Sequence, residues 1–382
     1  MFGFFQNDQL SEVGEISNRI TNTYMVNQDE QRYERSQSEI TERQFPRFML
    51  PQFYMTRMSE TIGKWTFIKL KKKLASESGQ AIRQTIANIA ELVVDPKRII
   101  EAMRLKIVEQ LPPFLLSNDP HIRENTAIVY AAIARHAVGR QAITNNPTII
   151  NSLIKGLDDP IIDVRLRMGD VMEILCHDYF AAKTLVESYG FLDIIATRLK
   201  REQKKMLIIY LHSLEVLLLA KSNVDHAIEL GLIKILLSLL QRADKEVTGK
   251  ILACLAILCQ EGLENWSSAD IENVLSNLET YLNDESKEVN EKAVNLLSFI
   301  TVTECGKIHG FIFIDRLLEL ANNYQSRECC VMSIKALTNI AEVPKGRQKL
   351  LDHSKFIEQI NTHNSRTLKR HKQILLEVIH RN

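Results

Sequence analysis

No excess of charge marks this chain: 48 lysines and arginines stand against 47 aspartates and glutamates, for a net charge of +1 over 382 residues. Such a balance gives no whole-protein field to gather nucleic acid or an anionic membrane. No apolar run is long enough to span a bilayer. The most apolar stretch, residues 206–220, is interrupted by His212 and Glu215. The opening MFGFF is short, has no basic residues before it and runs directly into Gln6, so no secretory leader is expected. No segment alternates apolar and polar residues for long enough to argue for a sheet.

The tracks of catalysis are missing too. There is no GxGxxG, P-loop, HExxH or GxSxG. His177 and Asp178 are adjacent, but sequence neighbours on a helix end do not face each other. Six cysteines (176, 254, 259, 305, 329 and 330) include no CxxC pair, and no Cys/His spacing resembles a zinc site. They fall in or beside expected helices among apolar neighbours and read as reduced core thiols of an intracellular protein. The expectation is therefore no catalytic residue, no cofactor, no metal and no small-molecule substrate.

What the chain does have is repetition. One register position is held by Ile82, Ile122, Val164, Met206, Val247, Val289, Cys329 and Leu368, at gaps of 40, 42, 42, 41, 42, 40 and 39. From each, apolar or small residues recur at helical steps, as in Val289, Ala293, Leu296 and Ile300. Small residues at Ala127, Gly169 and Ala293 suit close helix contact. Asp119-Pro120 and Asp159-Pro160 precede two of these helices, where a carboxylate caps and proline fits the first turn or the turn before it. Asp244, Asp284 and Asn364 occupy comparable places. Gly190 and Gly231 stand ahead of the apolar segments GFLDIIATRL and GLIKILLSLL, where the chain must reverse. A period near forty defines a stacked α-helical repeat, with room in each unit for a short, a second and a long third helix. A solenoid escapes the size limit of a globular core, because each unit touches only its neighbours.

Residues 1–45 are polar and mostly acidic in charge, and are expected to be disordered or held by a partner. Residues 46–73 turn basic and aromatic, with Phe48, Phe53, Tyr54, Trp65 and Phe67. They read as an extended arm leading into a helix near Ser59–Leu74. The arm either covers the exposed end of the repeats or docks on another protein. The division expected is 1–58 as extension and 59–382 as about eight repeats, the terminal ones atypical. The last, SRTLKRHKQILLEVIHRN, is polar-faced as an end cap should be.

Candidate protein-binding residues are Phe48, Phe53 and Tyr54 of the arm and a set of repeated basic positions. Arg123 and Arg165, like Arg83, directly follow the register position, while Arg167, Lys250 and Lys292 lie three residues after theirs. Aligned basic groups could engage an acidic partner along a concave face. The plainer reading, favoured here, is pairing with the aspartate in front of the helix, Asp119 for Arg123. Basic clusters at 69–73, 198–205 and 369–372 read as solvated helix faces, and nucleic acid stays a minor possibility.

The period, the GLIKILLSLL run and KALTNIA (Lys335–Ala341) resemble the armadillo family, which implies an all-α, armadillo/HEAT-like, right-handed superhelical solenoid with an extended N-terminal arm. In the nuclear-import and catenin members of that family, an asparagine ladder on the third helix grips an extended peptide. Here Asn339 matches one rung, but Ala132, Ile174, Val216, Ile257 and Phe299 stand at the others. Four further segments, AELVVDPKRIIEAM (from Ala90), HAVGRQA (from His136), LSFITVTECGK (from Leu297) and KALTNIAEVPKGRQKLL (from Lys335), resemble the armadillo proteins of axonemal radial spokes over about residues 70–382. That resemblance implies a non-catalytic structural component of the cilium or flagellum. Its partners would be other radial spoke proteins and axonemal components, with no membrane, and with nucleic acid only as a minor possibility. The alternative is a soluble armadillo adaptor that binds a peptide or acidic protein in transport or assembly.

Overall fold

The computed structural model describes residues 66–76, 79–241, 243–323, 326–362 and 364–381. The expected arm, with Phe48, Phe53 and Tyr54, lies outside the described residues. Those described form helices and short 3-10 turns, with no strand among them. The described residues divide into two compact units, the first ending at Phe191 and the second beginning at Leu192.

The first unit contains α1 (Thr66–Ser76), α2 (Gln80–Leu92), α3 (Pro96–Arg104), two 3-10 turns (Val108–Gln110 and Pro112–Leu116), α4 (Pro120–Ala134), α5 (Ala137–Thr144), α6 (Pro147–Gly156), α7 (Ile162–Cys176) and α8 (Tyr179–Tyr189). Its long third helices α2, α4 and α7 pack side by side in sequence order. One local device starts three of its helices. Asp95, Asp119 and Asn146 each accept the backbone N–H two residues on, and a proline follows each as the first helical residue. That proline lacks an N–H the helix would leave unpaired, and its φ is already helical.

The second unit opens within α9 (Phe191–Arg198) and continues through α10 (Lys204–Leu217), α11 (Lys221–Glu229), α12 (Leu232–Leu240), α13 (Lys245–Gly262), α14 (Ser268–Leu282), α15 (Lys287–Ile300), α16 (Glu304–His309), α17 (Ile314–Asn322), α18 (Arg327–Ile340), α19 (Pro344–Asp352), α20 (Ser354–Gln359) and α21 (Arg366–Ile379). Its third helices are α10, α13, α15, α18 and α21, again each against the next. Within this unit one repeat departs from the expected three helices. Between α13 and α15 there is a single long helix, α14, after a 3-10 turn at Leu263–Asn265. A reciprocal capping box of Ser267 and Asp270 starts it, and no glycine or proline interrupts it before Leu282.

The register set by the sequence is the register of the core. Each of the eight register residues is buried, and the residues seven and eleven positions later are at most 1 % exposed in all eight helices. In α10 that line includes Ser213, whose hydroxyl donates to the carbonyl of Ile209 at 3.0 Å and so costs little to bury. Gly190 and Gly231 adopt left-handed φ values of 60° and 72°, as the reversal between helices requires. Asn364 does not cap as expected. It takes the left-handed conformation itself (φ 58°), and Ser365 caps α21 through the N–H of Leu368.

The Gly-Arg-Gln shared by HAVGRQA (Gly139–Gln141) and KALTNIAEVPKGRQKLL (Gly346–Gln348) also has a structural cause. A Cβ on Gly139 would lie 2.1 Å from the Ile133 carbonyl oxygen, and one on Gly346 would lie 2.2 Å from that of Ile340. The glycine thus lets each following first helix sit directly on the end of a third helix. The arginine beside it then satisfies the carbonyls that end leaves open. Arg140 donates to Ala134 and Arg135, and Arg347 to Ala341 and Glu342.

Candidate binding face

The third helices present their half-buried residues as one face in each unit. The basic residues named as binding candidates there are largely engaged by the chain itself, as the plainer reading of the sequence has it. Arg123 holds Asp159 through two hydrogen bonds, Nε at 2.5 Å and Nη2 at 2.9 Å, and donates Nη1 to the Ser117 carbonyl at 2.8 Å. Its partner is the aspartate of the following repeat. Asp119, the expected partner, instead takes Arg83 at 2.5 and 3.0 Å, and this draws its carboxyl below the usual range. An extended arginine therefore reaches forward one repeat while its helix starts on its own aspartate.

Arg165 donates to the Asp159 carbonyl at 2.7 Å. Arg167 lies 3.8 Å from Glu124 and 3.5 Å from Asp170. In the second unit Lys250 pairs with Glu288 at 3.8 Å, and Lys292 reaches Glu215 at 3.9 Å. The forward reach recurs there on the surface: Lys204 contacts Asp244 at 2.8 Å and Lys245 contacts Asp284 at 3.3 Å. The 369–372 cluster is partly absorbed as well, since Lys372 caps α20 through the carbonyls of Glu358 and Ile360.

Asp178 is likewise structural. It caps α8 through the N–H of Ala181 at 3.1 Å and accepts from Arg140 at 3.2 Å. Asp170 was not singled out by its sequence context. Burial first, then the neighbouring Glu173, outweighs Arg167 and pushes its carboxyl up to about 7. Glu215 and Glu288 were also not foreseen, because nothing in the repeat marks which carboxylate will face which lysine.

The positions of the asparagine ladder are apolar where the sequence makes them so. Ala132 and Ile174 are half-buried in the first unit. In the second, Ile257 and Phe299 are half-buried and Val216 is buried. Asn339, the one matching rung, donates its amide to the Ser298 carbonyl and the Thr301 hydroxyl, both at 3.2 Å. Its N–H groups thus join α18 to α15. A cleft of about 120 Å³ lies elsewhere in this unit, lined by Asp284, Glu291, Arg316 and Cys329. That is small beside the ~300 Å³ at which small-molecule pockets begin. Five cysteines are buried, and only Cys305 is partly exposed. Desolvation carries the Cys259 thiol to about 12 and the Cys329 thiol to about 11. No described helix is long and apolar enough to cross a membrane.

No protein-family model matches the chain. Among solved structures, it is similar to an engineered protein over 82 % of this chain and 88 % of that one, at 18 % identity and a TM-score of 0.60. It is also similar to computationally designed armadillo repeat proteins for modular peptide recognition (18 % identity, TM-score 0.53, covering 60 % of this chain and 98 % of that one). A designed armadillo repeat protein in complex with the peptide (KR)4 aligns at 20 % identity and a TM-score of 0.52, covering 59 % of this chain and 98 % of that one. At these identities the likeness is one of fold. The fold is an all-α, armadillo-type repeat solenoid.

Proposed function

We propose that the chain is a non-catalytic scaffold of the axonemal radial spoke, holding other spoke proteins against the third-helix face. The observation that carries the binding mode is the column of Ile257 and Phe299 on that face, where amide side chains would be needed to grip an extended backbone. Partly exposed apolar side chains beside paired charges suit the apolar face of a folded partner or helix, with the charges forming a polar rim. The spoke assignment rests on the helix-junction segments TVTECGK and AEVPKGR and on their order along the chain.

One solved structure of similar fold suggests a second reading. It is in complex with a basic peptide, (KR)4. A soluble adaptor of that kind needs free polar groups along the groove. In this chain the Asn339 amide is committed to Ser298 and Thr301. Washing detergent-extracted axonemes with high salt separates the two readings. A spoke component stays in the insoluble axoneme, whereas recovery of the chain in the wash supports the adaptor and overturns the spoke.

A further inference from the structure

Three potential metal ligands converge in the second unit, on elements the binding face does not use. Cys305 and His309 are four residues apart on α16, and so lie on one side of it. Glu272 comes from α14, which packs against α16. One ligand atom from each of the three lies within 4.8 Å of the others, and His309 Nε2 is 4.0 Å from Glu272 Oε1.

We propose that Glu272, Cys305 and His309 form a zinc site that clamps α14 to α16. The argument begins with the backbone that places them. Thr303 caps α16 by accepting the Gly306 N–H at 2.9 Å. Gly306 sits so close to the end of α15 that a Cβ there would lie 2.0 Å from the Ile300 carbonyl oxygen. The helix bearing Cys305 and His309 is thus fixed against its own repeat, and only rotamers need adjust. Zn–N bonds of about 2.0 Å and Zn–S bonds of about 2.3 Å put tetrahedral ligands roughly 3.3–3.8 Å apart. Closing from 4.8 Å is within the reach of three partly exposed side chains.

The donor set selects the ion. One thiolate, one imidazole and one carboxylate suit zinc, and a single carboxylate supplies too few oxygens for calcium or magnesium. Lys307, which lies between the two α16 ligands in sequence, turns away to Glu304 at 3.0 Å and Glu342 at 2.7 Å, so its charge is neutralised elsewhere. Three protein ligands leave a fourth position for water. Sequence spacing alone misses the site, because Cys-x3-His supplies two ligands and the third lies 33 residues earlier on another helix.

Cobalt(II) titration of the full chain tests this directly. The site predicts a near-ultraviolet thiolate-to-cobalt charge-transfer band that saturates at a single equivalent and is displaced by zinc. C305S should abolish the band, and H309A should weaken binding at least tenfold. Since Cys305 and His309 are partly exposed, both variants should keep the circular dichroism of the parent. Zinc should raise the melting temperature of the parent but not of either variant. A parent chain without the band, or a band that survives in C305S, overturns the proposal.

Discussion

Arg123 of α4 grips Asp159, the carboxylate that leads into α7, with two hydrogen bonds of 2.5 and 2.9 Å in an almost buried setting, the two side chains being 11 % and 6 % exposed. The same carboxylate accepts the Ile161 N–H at 2.9 Å, so it fixes the turn into its own helix while it holds the helix before. Removing one partner leaves a buried charge without its counter-ion, which costs about 3–5 kcal/mol. We expect R123A and D159A each to lose stability of that order in urea denaturation. Replacing both at once, as R123M with D159L, removes the uncompensated charge but also the bonds to the Ile161 N–H and the Ser117 carbonyl, so it should recover only part of the loss. A double variant no better than the single ones would contradict the view that the unpaired charge dominates their cost.

The glycines separate into two kinds with opposite expectations. Gly139→Ala drives a methyl group into the Ile133 carbonyl and should cost at least the ~1–3 kcal/mol of overpacking. Gly249, inside α13, would place a Cβ 3.7 Å from the Glu288 side chain, an ordinary contact. There Gly249→Ala gains helix propensity and should stabilise by roughly 0.5–1 kcal/mol. Thermal melts of the two variants check the contrast, and equal effects would contradict it.

Asp170 makes stability depend on pH in the unusual direction. Its carboxyl titrates near 7 in the folded chain, raised chiefly by burial, against the ordinary 3.8 when unfolded. Between those values the folded state binds the extra proton, so stability from this group rises as pH falls from 7 towards 4, by up to about 1.4 kcal/mol per pH unit. Above 7 the cost of burying the charge is fully present. Asp170→Asn should therefore exceed the parent in denaturation at pH 8, with the advantage shrinking at pH 5. An Asn variant less stable than the parent at pH 8 would show that the Arg167 contact outweighs burial.

Much of the fold could be read from the sequence because its period is written in side chains that must be buried. Leu296 and Ile340 are core residues for the same reason they fall in register. Gly139 and Gly346 matched in sequence, and the structure supplies the cause in the carbonyls they approach. The partner of Arg123 was misjudged because sequence proximity favours Asp119, while an extended guanidinium reaches the next layer of the stack. The merged helix α14 was missed because a forty-residue period fixes the spacing of third helices and leaves open what joins them. The convergence of Glu272 with Cys305 and His309 was hidden for a related reason: it depends on packing between helices, which no local spacing encodes.

Assembly of a face variant tests the scaffold most directly. Ile257 and Phe299 are half-buried on the third-helix face, so charge at both should spoil a docking surface and leave the buried core line intact. I257D/F299D, expressed in ciliated cells in place of the native chain, should keep its helical spectrum and fail to enter the axoneme. Normal incorporation of that folded variant would contradict the account.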